Sequence, residues 1–337
     1  MHSKNTEARL YSLDILRGLA ALAVALFHFS GHGYLGNASP ASWAFKWGYL
    51  GVDIFFVISG FIIPHALYES GGELKKAPEF LLRRLIRLYP AYAATCILVL
   101  VLWFGSSLMP GFQGVPPHCS ESQVVCHILF ACDFLKLPWF NPVFWTLAIE
   151  VQYYLLVCLA LPLLTGSRLT TRILAIIGWL SLGVLELGGS TVFSYCLVFG
   201  FGILLFMEGK KLLPKSIAWP LIALAVAAQA YFHDWPSAGA GLLAVLWIQC
   251  AKTFKFRPMV WLGTISYSLY LIHVPVGGRI INFFARSANT NIRLLGFICA
   301  CTISILGAYL FYLTIEKPSH NWARRLWRRD STQKPSV

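Results

Sequence analysis

The chain has 337 residues, 57% of them hydrophobic and only 12% charged, with a mean hydropathy of +0.65. A soluble domain is nearer a quarter charged and could not cover its surface with so few ionic groups; 24 Phe, 14 Tyr and 12 Trp likewise exclude a disordered chain. What remains is an all-α integral membrane protein, and its net charge of +13 reads as Lys and Arg retained on one side of a bilayer rather than as a nucleic-acid surface.

A spanning helix needs about 20 mostly apolar residues. Ten segments qualify, at 12–31, 47–67, 89–109, 142–164, 172–188, 191–208, 216–232, 236–251, 258–277 and 292–315. The stretch 122–137 is amphipathic and reads as a surface or re-entrant segment. With a cytoplasmic N-terminus, only Lys46, Lys136, Arg279, Arg286 and Arg293 fall outside. The other 22 of the 27 Lys and Arg fall inside. Positive charge resists translocation, so this asymmetry predicts about ten transmembrane helices with both termini cytoplasmic. The expectation is one membrane-embedded domain, 1–337, with a cytoplasmic basic tail at 318–337, in the cell (inner) membrane as a multi-pass protein.

The nine cysteines sit mostly in apolar runs, where they act as small hydrophobes. No CxxC and no zinc-ligand spacing occurs, so no metal site is expected. Cys119 and Cys126 flank a polar outer loop. They are expected either as a disulfide or as two free thiols.

Ionisable groups at membrane depth are costly and usually have a partner or a function. By helix rise, His28, Asp53, Glu150 and His273 lie within roughly 5–12 Å of the outer ends of four spans. If those spans are neighbours, two carboxylates and two imidazoles form an acid/base cluster; separately satisfied polar groups are the plainer reading. On the first span Arg17 and His28 are 11 residues apart and share a helix face with Asp14, Ala21 and Val24. Snorkelling of each to its own interface would give the same spacing. The inner loop 68–88 carries Arg83, Arg84 and Arg87. Arg84 and Arg87, at i and i+3, suit a phosphate or another multiply charged anion, although topology anchoring would also place them there.

These residues sit in motifs that resemble the acyltransferase family 3 integral-membrane enzymes, which O-acylate sugars, polysaccharides and related acceptors. LDILRGLAALAVALFHFSGH (13–32) resembles the family's opening Arg-x10-His signature, with Arg17 and His28. GVDIFFVISGFII (51–63) resembles the block that holds Asp53, Ser59 and Gly60. RRLIRLYP (83–90) resembles the cytoplasmic R-x-x-R motif, with Arg84 and Arg87. FWTLAIEVQYY (144–154) resembles the block with Trp145, Glu150, Tyr153 and Tyr154, and ISYSLYLIHVPV (265–276) that with Ser266, Tyr267, Tyr270 and His273. The five occur in family order over most of the chain, in what resembles the stand-alone form without an appended extracytoplasmic domain. The polar insert at 110–123, with Pro116-Pro117, has no counterpart in these motifs.

The resemblance implies transfer of an acyl group, usually acetyl, from a cytoplasmic acyl-CoA to a hydroxyl of a sugar or glycan acceptor at or across the membrane. It implies no permanently bound cofactor, with acyl-CoA as co-substrate. Arg17, Arg84 and Arg87 would hold the donor's phosphates. His28 would be the general base or a transient acyl carrier, with Asp53 orienting it. Glu150 completes the expected catalytic group, and His273 stands behind it for acceptor binding or proton relay. Ser59, Trp145, Tyr153, Tyr154 and Tyr267 are supporting positions, the aromatics for packing or sugar stacking. The rival class is a secondary transporter of a polar metabolite, which would also use midplane polar groups and a basic rim.

Overall fold

A computed structural model describes residues 2–31, 34–36, 40–71, 74–112, 114–115, 117–185, 191–251 and 253–330, with side chains given between 11 and 323. The side chains of Lys4, Arg9 and the arginines at 324–329 lie outside the described part, as do Pro116, Lys252 and Lys334. No strand occurs among the described residues. In hydrocarbon each segment must satisfy its own backbone, which favours helices.

The helices are α1 (His2–Ser30), α2 (Pro40–Phe45), α3 (Gly51–Glu69), α4 (Ala77–Ser107), α5 (Glu121–Ile128), α6 (Phe144–Leu164), α7 (Leu169–Leu182) and α8 (Cys196–Gly209). They continue as α9 (Lys215–Phe232), α10 (Trp235–Cys250), α11 (Arg257–Thr264), α12 (Ser266–Ile272), α13 (Gly278–Phe284), α14 (Thr290–Phe311) and α15 (Lys317–Asp330). Wide π-turns at His273–Gly277 and Tyr312–Glu316 join α12 to α13 and α14 to α15.

Helix covers each of the ten ranges expected from sequence, but not all to spanning length. Among the described residues seven helical stretches are long and apolar enough to cross a membrane: Tyr11–Ser30, Pro40–Glu69, Leu74–Ser107, Phe144–Leu164, Val192–Gly209, Lys215–Phe232 and Thr290–Ala323. Arg257–Thr264 and Ser266–Phe284 make an eighth if counted together, bent by 55° at their junction. Leu169–Leu182 and Trp235–Cys250 are apolar but have only 14 and 16 residues.

Two local expectations are corrected. The arginine segment is not loop: a short 3-10 turn at Leu74–Lys76 leads directly into α4, which carries proline in its first turn. Proline's missing N–H costs nothing there. Arg83, Arg84 and Arg87 therefore ride on a 31-residue helix, so their directions are fixed by helix geometry. In the 122–137 segment only α5 is helical, started by Ser120, whose Oγ accepts from the Gln123 N–H at 3.2 Å. Cys126 bonds Cys132, not Cys119. Cys126 lies on the buried face of α5, and the chain turns back after Ile128, with the Ala131 N–H donating to the Cys126 carbonyl at 2.8 Å. That turn brings Cys132 to a Cα–Cα distance of 4.8 Å, while Cys119 is exposed and free.

The core centres on α8, buried at every position from Cys196 to Met207, as befits a helix apolar all round. It packs on α3, α7, α9 and α10. Small residues permit the closest approach: a Cβ on Gly60 would lie 2.2 Å from the Phe199 carbonyl oxygen, and one on Gly202 2.2 Å from that of Val57. The helix α1 packs on both α3 and the α11–α12 pair, with Gly18 against Gly263 at the second contact. The element that carries Arg17 and His28 is thus held on two sides.

Candidate functional site

Three cavities lie along α1. The first is narrow, about 100 Å³, and gathers Arg17 from α1, Ser59 from α3, Arg84 and Arg87 from α4, Glu150 and Tyr154 from α6, and Tyr267 and Tyr270 from α12. Arg83 is turned away and paired with Glu79. Arg87 donates through Nε to His320 Nε2 at 3.0 Å, and Arg84 lies over the Phe80 ring. Glu150 Oε1 accepts from Tyr154 Oη at 2.5 Å and from Ser59 Oγ at 3.4 Å. Behind this wall Glu316 is buried, accepts from Ser268 Oγ at 2.6 Å and feels the charges of Arg17 and Arg87. Arg84 and Arg87, which the spacing offered as an anion grip, and Arg17, which the resemblance added, all line this one cavity.

The second cavity, about 450 Å³, is lined by His28, Asp53, Trp145, Tyr195, Gln229 and Ser237 among others. It shares Val52 and Tyr270 with the first. Tyr270 Oη and Thr146 Oγ1 are 2.7 Å apart, and Thr146 also lines the arginine cavity. The third, about 650 Å³, is lined by His28, Tyr34, Asn141, Arg279 and Arg293 among others. His28 therefore borders two cavities, and α1 borders all three.

The four groups expected at one depth do not form one cluster. His28 and His273 meet directly, Nδ1 to Nε2 at 3.3 Å. Asp53 shares a cavity lining with His28, alongside Ser237, with no hydrogen bond between Asp53 and His28 among the contacts of the described residues. Glu150 faces the arginine cavity instead. Helix rise gives a residue's height and says nothing of its azimuth, and the first turns of α6 send Trp145 to one cavity and Glu150 to the other. Tyr153 packs in the core, its ring stacked on Phe199 at 3.9 Å.

The imidazole pair has a defined proton arrangement. His273 Nδ1 faces two carbonyl oxygens, of Leu269 at 3.1 Å and Tyr270 at 2.8 Å. Carbonyls only accept, so Nδ1 carries the proton and the neutral ring's Nε2 is an acceptor. His28 Nδ1 faces the Val24 carbonyl at 2.9 Å and His273 Nε2. Both partners accept, so His28 too is protonated at Nδ1, which leaves the lone pair on Nε2. The π-turn that starts at His273 contains Pro275, which has no N–H to donate; π-turns of this kind recur at functional sites.

Sequence reasoning missed Thr146, Tyr195, Gln229, Ser237 and Glu316 as lining or supporting groups. One signal was present: Asp234-Trp-Pro-Ser is a helix start, with Asp234 Oδ1 accepting from the Ser237 N–H at 2.7 Å. It fixes Ser237 on the lining of the cavity that also holds Asp53.

Comparison with known proteins decides the family: the acyltransferase domain matches over residues 10–313. The chain belongs to the acyltransferase domain family. This family member is 27% identical to the peptidoglycan O-acetyltransferase OatA of Listeria monocytogenes, over 79% of its own length and 49% of that protein. It is 29% identical to the putative peptidoglycan O-acetyltransferase YrhL of Bacillus subtilis, over 82% of its own length and 50% of the relative. It is 26% identical to the O-acetyltransferase OatA of Staphylococcus aureus, over 92% of its own length and 57% of the relative. The chain thus spans about half the length of the curated relatives it matches. No solved structure matches it significantly.

Proposed function

We propose that this protein is a membrane O-acyltransferase that moves an acyl group, acetyl by analogy with its relatives, from an acyl-CoA to a hydroxyl of a sugar or glycan. The carrying observation is the placement of one rigid helix: α1 lines the arginine cavity through Arg17 and the two wider cavities through His28. The arginine and histidine cavities share a border at Val52 and Tyr270. In this reading Arg17, Arg84 and Arg87 hold donor phosphates at the cavity's edge, and the narrow interior takes the thioester arm. With both termini taken as cytoplasmic, as the charge asymmetry suggests, the arginines would face the cytoplasm, and the inner membrane is the proposed location.

His28 Nε2 takes the proton of the acceptor hydroxyl as its oxygen attacks the thioester carbonyl. The C–S bond breaks, and the thiolate leaves and is then protonated. In the resulting imidazolium, Nδ1–H remains shared between the Val24 carbonyl and neutral His273. His273 so fills the orienting place that a carboxylate fills in hydrolase triads, the place sequence alone gave to Asp53. Glu150, held by Tyr154 and Ser59, orders the wall against which the donor lies.

The test is acyl transfer by purified protein in detergent, from labelled acetyl-CoA to an amino-sugar oligosaccharide. His28→Ala should abolish transfer and leave donor affinity intact. Arg84→Ala and Arg87→Ala should each weaken donor binding about tenfold to a hundredfold, because a hydrogen bond to a charged group is worth roughly 1.5–3 kcal/mol. Near-normal transfer by His28→Ala, or substrate transport without any acyl transfer, would overturn the reading.

A further inference from the structure

The 450 Å³ cavity beside His28 lies within the usual range of small-molecule sites, roughly 300–1,000 Å³. Its lining holds two carboxylates, Asp53 and Asp234, and no Lys or Arg. Gln229, only 3% exposed, lines it too, and its Oε1 is buried without a hydrogen-bond partner among the described residues. A buried polar atom left unpaired is costly. The amide's other end is engaged: Gln229 Nε2 donates to Ser237 Oγ at 3.2 Å. With Nε2 so engaged, Oε1 is left to face the cavity as an acceptor. One wall is aromatic: Trp145 and Tyr195, both half-buried, stand with ring centroids 5.8 Å apart and planes 33° from each other.

We propose that this cavity is a binding site for an uncharged, hydroxyl-rich ring, a neutral sugar unit, and that it discriminates against acceptors bearing a carboxylate or phosphate at that unit. Gln229 Oε1 and the two carboxylates accept hydrogen bonds, which sugar hydroxyls donate, and the lining hydroxyls of Tyr49, Ser194 and Tyr195 can serve hydroxyls in either sense. The carboxylates repel a second anion in a partly desolvated space. The aromatic wall offers flat faces to the apolar C–H side of a pyranose. The neighbouring 650 Å³ cavity has the opposite character, with Arg279 and Arg293 on its lining, which assigns the neutral unit to the Trp145 side of His28 and not to the arginine side. The proposal deepens the acyl-transfer reading and rests on it for the purpose of the site, while the binding claim is testable alone.

The experiment measures binding of triacetylchitotriose, which is neutral, and of trigalacturonate, which is anionic, to the purified full chain, followed by tryptophan fluorescence and saturation-transfer NMR. The neutral trimer should bind at least tenfold more tightly. Gln229→Met, nearly equal in volume, should weaken the neutral trimer about tenfold, and Trp145→Ala should remove its quenching. A thermal melt controls for folding, and Tyr231→Ala, on an exposed residue outside the lining, serves as an unaffected variant. Equal or tighter binding of the anionic trimer would overturn the proposal. So would unchanged affinity in Gln229→Met, or no binding of either trimer at millimolar concentration. Neutral-sugar binding without acyl transfer would sink the acyl-transfer reading and leave this site standing. Transfer to trigalacturonate as fast as to the neutral trimer would do the reverse.

Discussion

His273 shows how much a single side chain can decide at this site. It is fully buried, spends its Nδ1 proton on two backbone carbonyls and turns a lone pair towards His28. Its role is to position, so its removal should act on the rate and spare the donor. His273→Leu should lower kcat at least tenfold, with the KM for acyl-CoA unchanged. His273→Gln, whose amide oxygen can accept at the same place, should recover part of the loss. Loss of donor affinity in both variants would make His273 structural only. The chemistry of this pair was legible in the sequence as residue types in motifs, and their contact was not. Sequence spacing set four ionisable groups at one height. Which helix turned which side chain towards which cavity depended on contacts between α1, α6 and α12, distant in sequence.

At the scale of elements, close helix approach places the site. The Gly60–Phe199 and Gly202–Val57 contacts hold α3 on α8, and α3 carries Val52, Asp53 and Ser59 into the two cavities. Gly202→Val should therefore force the helices apart and destabilise by about 1–3 kcal/mol, the usual cost of overpacking, seen as a lower melting temperature in detergent. An unshifted melt would mean that the helices tolerate separation. The α5 segment gives a second check. Cys126→Ser should free Cys132 for alkylation without reductant, whereas Cys119→Ser should change nothing. Cys126, His127 and Cys132 resemble a metal site by proximity, their ligand atoms within 4.8 Å of one another. Yet the disulfide occupies both sulfurs, while His127 Nδ1 donates to the Gln123 carbonyl at 2.8 Å and Nε2 accepts from the Phe140 N–H at 3.0 Å. Burial also pushes the His127 imidazole below its usual pKa, which keeps it neutral in these roles. The sequence left Cys119 and Cys126 either bonded or free and did not bring in Cys132, because spacing shows which thiols are near along the chain, and only the turn after Ile128 shows which one returns.

For the whole molecule, the proposed orientation makes a directional statement. A cysteine at Asn289, which caps α14, should react with an impermeant maleimide from outside the cell, and one at Lys211 should not. The reverse pattern would overturn the orientation and move the donor to the wrong side. Helical content, the long apolar spans and the family motifs were readable because hydropathy and residue type are local properties. The two short helices, the arginine-bearing start of α4 and the bent α11–α12 junction depend on how neighbouring helices cover one another, which no local window contains.

Val52 and Tyr270 border the arginine cavity and the histidine cavity at once. Under the proposed orientation these spaces open towards opposite compartments, so a layer of side chains is also an electrical insulator. A cell that keeps a proton gradient cannot tolerate a wet passage there, even though the chemistry asks a thioester to reach across. Tyr270, clasped by Thr146 at 2.7 Å, is then a leak barrier as well as a cavity wall. Tyr270→Ala, reconstituted in liposomes loaded with a pH-sensitive dye, should dissipate an imposed pH gradient faster than the unaltered protein. An equally tight membrane would mean that the insulating layer lies elsewhere.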